Sequence, residues 1–507
     1  MVETHKQQVL ITDDILVDDY NSACFKSNSD TDANQLNGLG YKQEFKREVS
    51  LFAQVGLSFL TMAMLPGWFL GFNESMNAGG PMSLFWGYVP FPINGGVYSW
   101  CRFLSNNKWS PFVSQICGYM FLAGVISAVM ATGDGVALAI IGIVNVSKGE
   151  GQEQFSSNGA IVGIYTLYTF ITTAYCTLGI KYNEYLNRFL VIWTILGTLI
   201  ICITLPVMSP SNPSPVWVFT EFNNQTGYSS SGIAFFLGIL PAAVTMIGYE
   251  NGAHISEGTK NAAITGPHGI LISVASALVQ GIILSCTTLF SIQNVQELQE
   301  SSFPIGTLFI RSTNQSVTIF FLVILIVCLT GCSCSMLLSG AQMIFSMARD
   351  GLLPYHRYWY SLDEKHKVPL RALLLLSVIC ILAFLPSLAS EVYLAIVLST
   401  TVIFLNTSYC IPSICRLVWR RHDMPKGPFN LGRYSILIHM ISIGWILFID
   451  VIMCMPRTIN PLSLYSMNWS CVMFGFVLLI GFILWFIGNN STMINHNDAD
   501  DNIDEKQ

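Results

Sequence analysis

Eleven stretches of this chain stay apolar for the roughly 20 residues that an α-helix needs to cross about 30 Å of hydrocarbon. They lie near 50–72, 112–146, 159–180, 185–208, 232–253, 268–291, 316–347, 369–388, 391–415, 434–455 and 469–488. The segments between them are short and polar, and none has room for a soluble domain. A twelfth apolar piece, about 80–92, is too short to span. Residues 1–40 and 489–507 lack apolar periodicity and read as disordered tails. The pattern predicts an all-α integral membrane protein, with a polytopic domain over 41–488 made of eleven full spans and one short segment. The first 48 residues carry no apolar core of a cleavable signal, so the first span is expected to act as the targeting signal.

Composition agrees. Of 507 residues, 52% are hydrophobic and 11% charged, against about 25% charged in soluble domains. Such a surface needs lipid to cover it. Basic residues then set the orientation. If the chain starts inside and the short segment counts as a crossing, the loops 101–111, 180–188, 254–267, 349–371 and 416–433 hold 15 Lys and Arg. The opposite loops hold three: Lys148, Arg311 and Arg457. This predicts that both termini are cytoplasmic. Sequons at Asn145, Asn224, Asn314 and Asn468 fall on the other side and add little. No basic stripe with interleaved aromatics points to nucleic acid. The 14 cysteines are scattered in apolar runs and read as buried free thiols. The partners expected are the bilayer and a small solute; no cofactor and no metal is called for.

Candidate chemistry is confined to a few positions. Acids inside spans are costly and face a cavity or a partner. Asp134 lies in the third span, Glu250 in the sixth and Asp450 in the eleventh, while Glu74 and Glu391 lie near outer span ends. No Lys or Arg sits mid-span, which favours a cationic or zwitterionic solute, or a proton. Asp134 divides evenly between a functional acid and one hydrogen-bonded between helices; for Asp450 the second reading is preferred. Two spans carry helix breakers. The first is interrupted by Leu65-Pro66-Gly67, and the sixth has Pro241, Gly248 and Gly252 around Tyr249 and Glu250. Breaks free backbone N–H and C=O groups that can hold a carboxylate and an ammonium near the bilayer midplane. Arg349 and Asp350, followed by Gly351 and Pro354, read as a helix C-cap and cytoplasmic hinge. Cys332, Ser333, Cys334, Ser335 and Ser339 read as small packing residues rather than as a metal or ion site. His254 and His268 are expected in solvent, and Gly38-Leu39-Gly40 follows no strand, so it is not a phosphate loop.

With these residues in view, the chain resembles the amino acid–polyamine–organocation superfamily, and within it the fungal amino acid/choline branch that includes GABA and choline permeases. The resemblance is carried by GLGYKQEFKREVSLF (38–52), NAGGPMSLFWGY (77–88), GGVYSW (95–100), IGYENGAHISEGTKNA (247–262), FSMARDGLLP (345–354) and GPFNLGRYS (427–435). It runs from about residue 38 to 488. It implies two inverted five-helix repeats plus two extra helices, and proton-coupled uptake or exchange. It places the substrate between spans 1, 3, 6, 8 and 10. Leu65, Pro66 and Gly67 match its first-span break, and Gly248, Tyr249 and Glu250 its sixth. The chain departs from the pattern where Trp86-Gly87 is followed almost at once by Gly95-Gly96. On the order of 20 residues, nearly one helix, are missing there. A difference in the natural transcript, a partly extended re-entrant crossing and a degenerate, inactive permease are the three readings, in that order.

The leading expectation is a secondary transporter of amino acids or related amine solutes, GABA-like or choline-like, working by alternating access. Glu250 would be the amine partner or, with Asp134, a proton-coupling acid. The alternative is a receptor or sensor that binds solute without moving it. A channel lacks a filter-like repeat or acidic ring, and an enzyme lacks a catalytic constellation. Plasma membrane and an internal membrane such as endoplasmic reticulum or vacuole are equally open.

Overall fold

The computed structural model describes residues 51–88, 101, 104–106, 108–149, 157–178, 180–254, 262–301, 303–363, 368–389, 393–420, 432–459 and 467–488. Both tails, Glu391 and the segment 89–100 that follows the shortened second span lie outside the described residues. Among those described, nine helical stretches are long and apolar enough to cross a membrane. Two shorter apolar ones, Ser231–Thr245 and Ser470–Phe486, complete the eleven that the sequence predicts. Among the described residues, the short second segment holds a helix of 7 residues, Gly80–Trp86, about 10 Å long.

The first span consists of two helices, Leu51–Met62 and Met64–Asn77. The break falls at Ala63, with φ 46° and ψ 52°, and not at Leu65-Pro66-Gly67. The reason is positional. Pro66 occupies the first turn of the second helix, where an N–H has no intrahelical partner in any case. Helical bonding resumes at once, with Gly67 N–H donating to the Ala63 carbonyl at 2.7 Å. Pro66 therefore starts a helix and leaves the carbonyl of Met62 without its usual donor. Ala63, a residue with a Cβ, carries the left-handed turn at a cost of about 1–2 kcal/mol.

The sixth span is broken twice. Helices Ser231–Gly238 and Leu240–Thr245 are kinked at Ile239, and the chain then unwinds until Asn251–His254. Gly248 has φ 84°. Spans 1 and 6 run antiparallel and in close contact along a ladder of glycines. A Cβ on Gly71 would meet Pro241 backbone atoms at 2.9 and 3.0 Å, and one on Gly67 would overlap Thr245. Below the breaks, Gly248 faces Thr61 and Gly252 faces Ser58. This register sets Ala63 opposite the unwound residues 246–250. Gly71→Ala should therefore destabilise the detergent-solubilised protein by about 1–3 kcal/mol, because proline backbone cannot yield to an added methyl. A thermal-unfolding comparison with wild type measures it.

The third span, Ser110–Lys148, and the eighth, Gln315–Arg349, have 39 and 35 residues, far more than a perpendicular crossing needs, and pack along each other through the centre. The packing repeats when spans 1–5 are exchanged with spans 6–10. The third span lies on the fourth (Asn158–Cys176) as the eighth lies on the ninth (Leu370–Phe384). The third lies on the tenth (Tyr393–Trp419) as the eighth lies on the fifth (Ile180–Met208). The fourth touches the eighth as the ninth touches the third, and the first touches the seventh (Ala262–Leu289) as the sixth touches the second. This is the five-plus-five arrangement. Spans 11 (Ser435–Cys454) and 12 (Ser470–Gly488) are additions packed on the tenth.

The loops that the charge count assigns to one side do share a face. Gln315 reaches the Val146 carbonyl at 3.0 Å, Gln225 bonds Gln299 at 2.7 Å, and Ile459 N–H bonds the Thr226 carbonyl at 2.9 Å. Three of the sequons there have structural work: Asn224 donates to the Tyr228 carbonyl at 2.8 Å and accepts from Thr226. Asn314 caps the eighth span through Val317 N–H, and the buried amide of Asn468 donates to the carbonyls of Met453 and Met455. At the opposite face Arg349 ends the eighth span and Asp350 caps it. Gly351, at φ 73°, turns the chain away, as the C-cap reading requires. The Arg349 Nε to Asp350 Oδ1 distance is 3.9 Å.

Candidate substrate site at the paired helix breaks

The unwound stretch of the sixth span is held by the tenth and first spans, and the first is in turn backed by the eighth. Gly248 N–H donates to Tyr409 Oη of the tenth span at 3.0 Å, and Tyr409 Oη donates to Glu250 Oε2 at 2.5 Å. One phenol thereby links a backbone donor freed by the break to the carboxylate beside it. The Tyr249 and Tyr409 rings lie 5.0 Å apart between centroids. From the first span, Thr61 Oγ1 accepts from Asn251 Nδ2 at 2.6 Å, Ser58 Oγ accepts from Gly252 N–H at 2.9 Å, and Gln54 Nε2 donates to the Gly252 carbonyl at 3.1 Å. From the eighth, Cys332 Sγ lies 3.6 Å from the Thr61 carbonyl. Glu250 and Asn251 are 1% and 0% exposed, and Glu250 forms no ion pair among the described residues. A buried acid bonded by a phenol, with no ion pair among the described residues, is suited to exchanging a proton or receiving an ammonium group.

Tyr409 is the residue that sequence reading missed. Its signal was there, in the polar run Asn406-Thr407-Ser408-Tyr409 just before Pro412 of an otherwise apolar helix. Pro412 deprives the Ser408 carbonyl of its helical donor, and Cys117 Sγ of the third span supplies one at 3.4 Å. That substitution fixes where Tyr409 sits.

The two acids expected to couple transport are not brought together. Asp134 is buried at 7% exposure, in a turn where Gly133 packs on Tyr165 and Gly135 on Leu70 and Leu329. Gly135 lies against Leu329 of the eighth span and Gly248 lies beside Met336 of the same span, 7 residues further on, hence Asp134 is about 10 Å from the break along the helix. Asp450 accepts from Asn406 Nδ2 at 3.5 Å and Thr407 Oγ1 at 3.3 Å, the interhelical hydrogen bonding that the sequence favoured. Cys332 and Cys334 are packing residues, with Cys334 offering its carbonyl to Cys176 Sγ at 3.8 Å. His268 is exposed.

Two antiparallel helices, each broken at the same depth and related through a five-helix repeat, define a secondary transporter. The chain belongs to the amino acid permease family, whose profile matches residues 50–479. It is 28% identical over 492 residues to the amino-acid permease BAT1 homolog of Oryza sativa subsp. japonica, covering 90% of this chain and 94% of that protein. It is 26% identical to amino-acid permease BAT1 of Arabidopsis thaliana, covering 89% and 93%. It is also 26% identical to amino-acid permease 2 of Neurospora crassa, covering 91% and 88%. The protein is thus a multi-pass membrane transporter and not an enzyme.

Proposed function

We propose that this permease carries zwitterionic amino acids across its membrane by alternating access, in symport with a proton. The observation that carries the reading is the Gly248–Tyr409–Glu250 link at the facing helix breaks. The amides at the start of the Met64–Asn77 helix, near Leu65 and ahead of Pro66 and Gly67, offer a positive helix end for the carboxylate. The carbonyls at the end of the Leu240–Thr245 helix, with Glu250, offer acceptors for the ammonium. Glu250 is the proton carrier in this reading, and Asp134 lies too far away to share the proton by contact. Both termini face the cytoplasm, as the basic loops require, and Arg349 and Asp350 form a hinge on that side. The relatives' names support amino acids as the solute; GABA and choline are the competing solutes.

Purified protein in vesicles, with an imposed pH gradient, tests this. Uptake of a labelled amino-acid mixture, competed by single amino acids, GABA and choline, identifies the solute, and acid outside should accelerate it. Tyr409→Phe should cut uptake roughly tenfold or more, since it removes a hydrogen bond to a charged group worth about 1.5–3 kcal/mol. Unchanged uptake in a correctly inserted Phe variant would remove Tyr409 from the mechanism. The short stretch between Trp86 and Gly95 favours one other reading, a solute receptor without flux. Saturable binding with no uptake in the same vesicles would establish that instead.

A further inference from the structure

Pro241 has a consequence beyond kinking the sixth span. A proline has no N–H to give to the carbonyl four residues earlier, so Leu237 is left with an acceptor that its own helix does not fill. Arg457 fills it. This residue belongs to the connection between spans 11 and 12, outside both five-helix repeats. Its Nη1 donates to the Leu237 carbonyl at 3.1 Å, and its Nη2 donates to Ser399 Oγ of the tenth span at 2.5 Å. Met453 Sδ lies 3.7 Å from the same Nη2. Glu74, near the outer end of the first span, lies close enough for its charge to act on the guanidinium. The connection itself is pinned at both sides, by Asn468 on the Met453 and Met455 carbonyls and by Tyr228 Oη on the Pro456 carbonyl at 3.1 Å.

Depth gives the arrangement its meaning. Leu237 lies 11 residues before Gly248, and Ser399 lies 10 before Tyr409, so Arg457 bridges spans 6 and 10 about 15 Å along the helices from the Tyr409–Glu250 link. The same two spans are thus tied at the candidate site by a phenol and at the end of the bundle by a guanidinium.

We propose that Arg457 is a positioning residue of the transport cycle. It latches the outer half of the sixth span to the tenth, closes the outer route to the helix breaks, and must release Leu237 and Ser399 for that route to open. The two extra helices thereby contribute a gating group to a machine built from the repeats. This rests on the transport reading and on this face being the outer one.

The test uses the full chain in intact cells and in vesicles. A cysteine introduced by Met246→Cys in the unwound stretch reports outer access through its reaction with a membrane-impermeant maleimide, located by mass spectrometry. Arg457→Ala should raise that reaction rate roughly tenfold, since charged hydrogen bonds of this kind shift an equilibrium by at least that factor. With a radiolabelled mixture of amino acids, Arg457→Ala should lower Vmax while KM stays level or falls, because the outward-open state is over-populated. Arg457→Lys, which can reach one acceptor, should recover part of the effect. Ser399→Ala should reproduce part of it, and the double variant should be no worse than Arg457→Ala. If Arg457→Ala does not insert, the Lys and Ser399 variants carry the test. Unchanged labelling and kinetics, or additive effects of Arg457 and Ser399, would overturn the latch. Failure of wild type to take up the mixture would instead strike the transport reading, and the labelling arm would stand. Labelling of Arg457→Cys only after permeabilisation would overturn the outer assignment.

Discussion

Glu250→Gln is expected to abolish acid-stimulated uptake while leaving the protein folded and inserted. The glutamine side chain keeps the volume of the glutamate, and its carbonyl can still accept from Tyr409 Oη, so the 2.5 Å hydrogen bond has a replacement. The variant loses the negative charge and the ability to bind and release a proton. If Glu250 carries the proton, uptake should fall by about 100-fold or more, the scale of removing a buried charged hydrogen-bond partner, and the residue should no longer respond to outer pH. The sign in wild type is set by mass action: a co-transported proton makes uptake rise as the outer pH falls. Exchange of labelled for unlabelled solute, which needs no net proton movement, should survive better than net uptake. Wild-type net uptake with an intact pH response in the Gln variant would sink the assignment. It would leave Glu250 as a hydrogen-bond acceptor that positions Tyr409.

Gly248→Ala tests the geometry of the break instead of its charge. Two penalties coincide there. An L-residue at φ 84° costs about 1–2 kcal/mol, and the new Cβ would meet Thr61 Cγ2 at 2.7 Å. Thr61 has little freedom to move aside, since its hydroxyl donates to the Leu57 carbonyl at 2.8 Å and accepts from Asn251 at 2.6 Å. Relaxation must therefore pull Gly248 N–H away from Tyr409 and disturb the link to Glu250. Together these predict a loss of about 3 kcal/mol or more in stability, with uptake near background at matched surface expression. The variant should also unfold several degrees earlier in detergent. Full uptake with wild-type unfolding would mean that the unwound stretch adapts freely, and that the tight approach of spans 1 and 6 is not what shapes the site.

Much of the molecule was legible along the chain. Span positions follow from local hydropathy, which no tertiary contact has to supply, so all eleven were found. The basic residues sorted the loops onto two faces for an equally local reason, the cost of moving cations across lipid. The shortened second span was visible as a gap between Trp86 and Gly95. The first-span break was located only to within a few residues. Pro66 announces a discontinuity but does not say on which side of it the helix gives way, and the residue that yields is Ala63.

What the sequence determined by itself is the class of object: an all-helical membrane protein with two broken spans, one of them beside an acid. Tertiary structure decided which of its polar groups meet. Tyr409 and Glu250 are 159 residues apart, and Arg457 lies 220 residues from the carbonyl of Leu237 that it completes. Asp134 and Glu250, which sequence alone grouped as two acids at membrane depth, are held about two helical turns apart, with Gly135 against Leu329 and Gly248 beside Met336 of the eighth span. Hydropathy assigns a residue to the membrane but not to a helix face, a depth or a neighbour. Those depend on how glycines 67, 71, 248 and 252 let spans 1 and 6 approach, and on which side chains reach the carbonyls that Pro241 and Pro412 leave open.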